Sequence, residues 1–177
     1  KIDLSKLIDE ALALLPVQVD CKADVEEFIT QRLIIFLAND YKKDVLEACA
    51  SKNPCVDLSD YLARVKATAK LNDAKLLENA NRVLRILKDE INNEINASLF
   101  ALQAEKDLYS AVKEVKFDGN YENLLQALIK LNPVVTKFFD DVLVMDKDEK
   151  IKNNRLALLN ELKKRYIILA DFSKLNG

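Results

Sequence analysis

Glycine is almost absent from this chain of 177 residues, which contains only Gly119 and Gly177. Tight hairpin turns between strands depend on residues that adopt positive φ, and glycine is the usual one. Only three prolines interrupt the chain, so long stretches are free to form helix. The sequence therefore predicts an all-α protein, built as a helical bundle.

Apolar residues recur at helical spacing along most of the sequence, and strand-like alternation does not persist over a useful length. We expect about nine helices. Pro16 ends the first of them, and Asn53-Pro54 marks a loop because the residue before a proline disfavours helix. At this loop we divide the chain into a small N-terminal helical segment, residues 1–56, and a larger bundle, residues 57–177.

Several polar residues are placed where helices should begin. Asp57, then Asn72 or Asp73, and Asn120 can each cap a helix that follows. Asn132-Pro133 is a cap followed by a proline, a pair that predicts the start of a new helix at that point. Asp146, with Glu149 three residues later, has the spacing of a capping box for the last helix.

The helix predicted over residues 24–41 has a single apolar stripe for burial. Its members recur at intervals of three and four residues: Val25, Phe28, Ile29, Leu33, Phe36 and Leu37.

The composition excludes most kinds of catalytic site. Histidine is absent, which removes the commonest general base and metal ligand. Cys21, Cys49 and Cys55 lack C-x-x-C spacing, so neither a zinc site nor a disulfide framework is expected. Glycine-rich phosphate-binding loops are also absent. We expect no catalytic residue, no metal and no cofactor on this segment.

The chain contains no apolar run near the roughly 18 residues that a membrane span needs, so no membrane partner is expected. It shows no signal peptide, and its start at Lys1 without a methionine indicates a piece of something longer. Unpaired cysteines are typical of a reducing compartment, so we expect a cytoplasmic protein.

Arg155 is an anomaly within the last predicted helix. It lies in the middle of an apolar face formed by Ile151, Leu158, Leu159, Leu162, Tyr166 and Leu169. A buried arginine most often pairs with a carboxylate from a neighbouring helix, and Asp140 or Asp141 are the nearest candidates in sequence. In that interpretation Arg155 fixes how the last two helices dock, and Asn154 bonds an exposed backbone group beside it. Direct contact with a ligand is the alternative.

Basic residues concentrate at two places. Six lie in the last helix, between Lys150 and Arg165. The helix near residues 73–90 is the second place. The side opposite its apolar face presents Asn81, Arg85, Lys88 and Asn92, with Arg82 on one flank. Arginine and asparagine side chains together can read single-stranded RNA by hydrogen bonds and stacking. A solvated helix face without a ligand is the commoner meaning of such a pattern.

The stretch from "FFDDVLVMDKDEK" through "NNRLALLNELKKRYIILADFSKL" closely resembles the C-terminal DALR-type anticodon-binding domain of the bacterial glycyl-tRNA synthetase β subunit. "LARVKATAKL" and "NRVLRILKDE" are similar to the two helices that precede it in that family, and "FITQRLIIFLANDYKKDVLEA" is similar to the segment before the domain. The resemblance thus covers nearly the whole chain.

The resemblance implies a non-catalytic domain that binds the anticodon arm of glycine tRNA, whose anticodon ends in two cytosines. It implies that ATP, magnesium and the reaction belong to a separate α subunit, and that partners are this subunit and the remainder of the β subunit, with no DNA. The RNA-binding candidates are Asn81, Arg82, Arg85, Lys88, Lys152, Asn154, Arg155, Lys163 and Arg165. Phe139 is expected in the core. The competing hypothesis is a helical assembly module that docks on other domains.

Overall fold

The computed structural model describes residues 2–87 and 93–175. Within these residues there are eight α-helices, two short 3-10 turns and no strand, which confirms the all-α prediction and is close to the helix number expected. The helices are α1 Leu4–Ala13, α2 Lys22–Leu37, α3 Lys43–Cys49, α4 Leu58–Thr68, α5 Ala74–Ile86, α6 Gln103–Glu114, α7 Tyr121–Asp141 and α8 Glu149–Leu169. The 3-10 turns are Ala97–Leu99 and Phe172–Lys174.

The chain divides into two compact units, one formed by residues 2–71 with 174–175 and the other by residues 72–173. The boundary drawn from the sequence at residues 56 and 57 therefore falls inside the first unit. The reason is that α4 packs against α3, so the helix after the Asn53-Pro54 loop is part of the N-terminal unit by its contacts.

Buried polar contacts hold α3 and α4 of the first unit together. Arg64 is 1% exposed; its Nε donates to Asp60 at 2.9 Å, and its Nη1 donates to the carbonyl of Cys49. The Tyr61 hydroxyl donates to the carbonyl of Leu46 at 3.2 Å. The Arg64 bond satisfies the carbonyl of Cys49, the last residue of α3, and the Tyr61 bond adds a second donor to the Leu46 carbonyl, which already accepts from the Ala50 N–H.

The predicted stripe of α2 does not lie on one buried face. Ile34 and Leu37 are buried, whereas Phe28 and Phe36 are 58% and 75% exposed. Apolar residues thus occur on both sides of this helix. The single stripe predicted from periodicity combined residues from the two sides. Among the described residues, no helix is both long and apolar enough to cross a membrane.

The second unit is organised around α7, which contacts α5, α6 and α8. Its buried residues follow one face at helical spacing: Leu124, Leu128, Leu131, Val135 and Phe138. The prediction that Pro133 opens a new helix is wrong, since α7 runs through it without interruption. Burial of this continuous apolar face outweighs the hydrogen bond that proline cannot donate.

Asn132, expected as a cap, is instead a buried residue of α7. Its Oδ1 accepts a hydrogen bond of 2.8 Å from Asn79 Nδ2 on α5, which also donates to Thr136 at 2.8 Å. An unpaired amide in this position would be costly, so the pair sets the register between α5 and α7.

Other predicted caps are confirmed. Asp57, Asp73 and Asn120 each accept backbone hydrogen bonds at the start of a helix. The cap of α8 differs: Asp148, not Asp146, accepts from Lys150 and Ile151. Asp146 has another partner, described below.

Candidate nucleic-acid interface

The outer face of α5 presents the amide and the arginines expected from the sequence. Leu76, Ala80 and Val83 are fully buried, so residues on the opposite side of the helix face outward. Arg82 and Arg85 are exposed in this position, and Asn81 is half-buried. Lys88 was also expected on this face, but it lies outside the described residues.

Arg82 and Arg85 are held by different contacts. The guanidinium of Arg82 lies 4.2 Å from the ring centroid of Phe139, a cation–π arrangement with a ring that is only 6% exposed. Phe139 is therefore a core residue, as expected, with one edge covered by an arginine. Arg85 Nε donates to the Asn81 carbonyl at 3.3 Å, and Arg85 is an exposed residue. Arg85 is thus the residue of this face best placed to meet a ligand.

The basic residues of α8 do not form one patch. Lys152 pairs with Glu149 at 2.6 Å near the start of the helix. Lys163 Nζ donates to the carbonyl of Leu87 at 3.4 Å, at the end of α5, and Arg165 Nε donates to the carbonyl of Val112 at 3.5 Å, in the last turn of α6. The last carbonyls of a helix lack internal partners and carry partial negative charge, so these two cations stabilise the ends of neighbouring helices.

Arg155 is 4% exposed and bonded on several sides. Its Nε donates to Glu105 of α6 at 2.7 Å, and its Nη1 donates to Asp146 at 2.7 Å and to the Leu143 carbonyl at 2.9 Å. The expected partners Asp140 and Asp141 are wrong, because the true carboxylates come from α6 and from the turn before α8. Arg155 is thus a docking residue, but its helix partner is α6 and not, as expected, the helix directly before it in sequence.

Asp146 is the half-buried end of this network. The backbone N–H of Asp148, and after it the Arg155 guanidinium, hold the pKa of the Asp146 carboxyl below its ordinary value. Glu105, at the other end, is fully buried, and its second oxygen accepts from the backbone N–H groups of Ala101 and Leu102. One carboxylate therefore both starts α6 and binds α8.

Asn154 also bonds backbone, as proposed from the sequence. Its Oδ1 accepts from the Asn96 N–H at 2.7 Å, and its Nδ2 donates to the Asn96 carbonyl at 3.1 Å. Asn154 is 4% exposed, so its amide is turned toward the segment before Ala97–Leu99 and away from solvent. Neither Asn154 nor Arg155 is placed to touch a large ligand.

A cleft of about 620 Å³ lies between α6, α8 and residues 93–95. It is within the range of about 300–1,000 Å³ usual for small-ligand sites. Tyr109, Val112 and Lys113 line one side, and Lys164 and Arg165 line another. Only Arg165 of this set was chosen from the sequence. For Tyr109 and Lys113 the sequence did contain a signal: their four-residue spacing places an aromatic ring and a cation side by side on a helix.

The described residues contain no cluster of three aspartate, glutamate, cysteine or histidine side chains that could hold a metal ion. The chemistry available at these surfaces is that of guanidinium, ammonium, amide, carboxylate and aromatic groups. Those groups suit hydrogen bonding, ion pairing and stacking with an anionic ligand.

The sequence profile of the DALR anticodon binding domain matches residues 73–166. The chain belongs to the DALR anticodon-binding domain family. The matched residues run from the cap of α5 into α8, so they contain the outer face of α5, the Arg155 network and the cleft. The predicted DALR-type fold is confirmed.

Curated relatives of this DALR chain include β subunits of glycine–tRNA ligase. Those of Neisseria meningitidis serogroup C (strain 053442) and of Geobacter metallireducens are each 33% identical, over 98% and 99% of this chain and 28% of their own length. That of Sulfurihydrogenibium sp. is 33% identical over 99% of this chain and 26% of its own length. The resemblance stated from the sequence is confirmed, and the chain spans about a quarter of the length of these relatives.

Proposed function

We propose that this chain is the anticodon-recognition domain of a glycyl-tRNA synthetase β subunit, and that it binds the anticodon arm of glycine tRNA without catalysing aminoacylation. The observation that carries the proposal is the family match over residues 73–166, together with relatives named as glycine–tRNA ligase β subunits. Arg85 and Arg82 on α5 contact the loop, and the cations of α8 that keep free donors approach its phosphates.

In this proposal the attachment of glycine to the tRNA is not catalysed by this chain. ATP, magnesium and glycine bind to a separate α subunit, and the protein works in the cytoplasm. This chain contributes the selection of tRNA, because an anticodon loop displays unstacked bases whose edges arginine and asparagine can reach.

The cytosines that end a glycine anticodon fit these side chains. Cytosine displays acceptors at N3 and O2 beside an amino donor at N4. The Arg85 guanidinium can donate to the acceptors, and the Asn81 amide can both donate and accept. Both residues lie within one turn of α5, so one helix face can address adjacent bases.

The proposal is tested by the salt dependence of RNA binding. A fluorescently labelled glycine anticodon stem-loop is titrated with the chain at about 50 mM and about 200 mM salt. Contacts to a few phosphates release counterions, so the dissociation constant should rise steeply, with a logarithmic slope of about 0.7 for each phosphate neutralised on single strands. Affinity that is measurable but independent of salt would contradict an RNA-binding role.

An exposed apolar surface on α2 favours a second function, docking. Phe28, Ile35 and Phe36 are 58%, 61% and 75% exposed, and they fall on one side of the helix around Arg32. The Arg32 guanidinium lies 5.0 Å from the Phe28 ring centroid. A helix with apolar residues on both sides is usually covered on both. The occupant we propose is another folded domain of the longer β-subunit polypeptide, since this chain spans about a quarter of its relatives.

Substitution of Phe36 tests this second function. Phe36→Ser should lower the binding of an apolar fluorescent dye to the chain more than Leu143→Ser does, because Leu143 is similarly exposed but stands outside this surface. Sedimentation of the unsubstituted chain should show a monomer. A dimer that Phe36→Ser dissociates would assign the surface to a second copy instead.

A further inference from the structure

The cleft between α6, α8 and residues 93–95 has a cationic side made by two residues that the fold holds in place. Lys113 lies one turn from Tyr109, with its Nζ 4.7 Å from the ring centroid and 3.3 Å from the hydroxyl to which it donates. Arg165 enters from α8, and its Nε is bonded to the Val112 carbonyl. The stem of each side chain is thereby oriented while ammonium and guanidinium donors remain for an anion.

Both cations keep access to solvent, so an anion can reach them. Lys113 is an exposed residue, and the Arg165 side chain is 28% exposed. The nearest carboxylate to Arg165 is Glu161, whose Oε2 is 4.0 Å from Nη2, at the outer limit for an ion pair. Glu161 is held more closely by Lys164, at 2.5 Å. The Arg165 charge is therefore only weakly compensated by Glu161.

The other side of the cleft carries groups of opposite character. Asn93 and Glu94 come from the segment before Ala97–Leu99, and Ile95 adds an apolar contact. A carboxylate accepts hydrogen bonds only, whereas an amide both donates and accepts. An exocyclic amino group beside a ring acceptor, as in cytosine, matches such a pair.

The position of this segment is fixed by the fold. Asn96, the residue after Ile95, is bonded twice to the buried Asn154 of α8. Asn96 also caps the 3-10 turn Ala97–Leu99, since its side chain accepts from the N–H of Ser98. The side that carries Glu94 is therefore anchored to the same helix that supplies Arg165, which is the condition for a site of defined width.

We infer that this cleft binds one unstacked nucleotide of the RNA loop, with its phosphate at Lys113 and Arg165 and the amino group of its base at Glu94. This inference rests on the proposed function, and it adds a second contact region to the outer face of α5. The volume of about 620 Å³ accommodates a single nucleotide. Tyr109 supports the phosphate side through Lys113, since its ring already packs on Phe100 at 5.3 Å.

The test compares Lys113→Ala with Lys130→Ala, a matched removal of an exposed lysine on α7 that lies outside this cleft. The labelled glycine anticodon stem-loop is titrated with the unsubstituted chain and with each variant over a range of salt. Lys113→Ala should weaken binding about tenfold at low salt and lower the logarithmic salt slope by about 1. Lys130→Ala should change neither, and the circular dichroism melts of all three proteins should agree.

Glu94→Gln provides an independent readout. The unsubstituted chain should prefer a stem-loop with cytosine over one with uracil at the bound position, and Glu94→Gln should reduce that preference with little change in salt slope. Free cytidine monophosphate is added as a competitor. It should displace the stem-loop only at concentrations far above the dissociation constant of the stem-loop.

The outcomes separate this inference from the proposed function. Salt-sensitive binding that is equal for Lys113→Ala and the unsubstituted chain would overturn the cleft as a nucleotide site and leave RNA binding intact. Efficient displacement by free cytidine monophosphate would also overturn it, because the cleft would then serve a free nucleotide. No binding of the stem-loop by the unsubstituted chain at any salt would overturn both.

Discussion

Arg155 shows what a single residue contributes to this domain. Its position on an apolar face was visible in the sequence, and so was its role in docking, but its partners were not. The two carboxylates it binds, Glu105 and Asp146, are separated from it by 50 and 9 residues along the chain. Sequence spacing favours near neighbours such as Asp140 and Asp141, whereas partners are chosen by how helices pack.

Arg155→Ala should destabilise the second unit strongly. It leaves Glu105, which is fully buried, without its cation, and breaking a buried pair costs on the order of 3–5 kcal/mol. Urea denaturation followed by circular dichroism measures the change in the free energy of unfolding. Lys150→Ala, an exposed change on the same helix, should stay within about 0.5 kcal/mol. Equal midpoints for the two variants would contradict the docking role.

The depressed pKa of Asp146 predicts an acid-sensitive stability. The carboxyl of the unfolded chain has the higher pKa, so as pH falls the unfolded state binds its proton first and the free energy of unfolding decreases. The loss should occur from about pH 4 downward, through the folded pKa. Asp146→Asn cannot titrate, and the urea midpoint of this variant should fall less between about pH 6 and about pH 3. Equally steep curves for variant and unsubstituted chain would reject this assignment.

At the scale of whole elements, the helices that could be predicted from sequence were those with a clear cap and one apolar face. α4, α5 and the start of α7 begin where Asp57, Asp73 and Asn120 were expected. α7 shows the limit of that reasoning, because an Asn-Pro pair that usually opens a helix lies inside one. Buried contacts such as Asn79 to Asn132 outweigh the local preference, and they connect residues 53 apart in sequence.

The basic residues of α8 show a different limit. Charge counted along the sequence grouped six cations on this helix, but helical geometry distributes them around it. Arg155 became a buried ion pair, Lys163 and Arg165 reached the carbonyls of two helix ends, and Lys152 paired with Glu149. Linear clustering of charge therefore did not identify a single surface on this helix.

The α5 face makes the clearest element-scale prediction for RNA. Arg85→Ala removes an exposed guanidinium and should cost about 1–3 kcal/mol of stem-loop affinity if it contacts a base, with the melting temperature nearly unchanged. Lys75→Ala is the control, since Lys75 is exposed on the same helix about 15 Å away along the axis. Isothermal titration measures both. Equal affinities for the two variants would remove Arg85 from the interface.

For the molecule as a whole, glycine scarcity and helical periodicity were enough to predict the all-α class, and the final stretch of sequence was enough to indicate the family. The division into units was less accessible, because it depends on the packing of α3 and α4 and not on the Asn53-Pro54 loop between them. The cleft was least accessible, since its sides come from three segments that are distant in sequence. Spacing can place residues on one helix but cannot bring helices together.

The central claim is that this chain reads the anticodon of glycine tRNA. The most direct measurement is the affinity of the chain for the glycine anticodon stem-loop beside a stem-loop of identical stem whose two anticodon cytosines are changed to uracil. Loss of a well-placed base contact costs about 1–3 kcal/mol, so the unmodified loop should bind at least about fivefold more tightly. Equal affinity for the two loops would contradict anticodon reading and leave the chain a docking domain with general affinity for RNA.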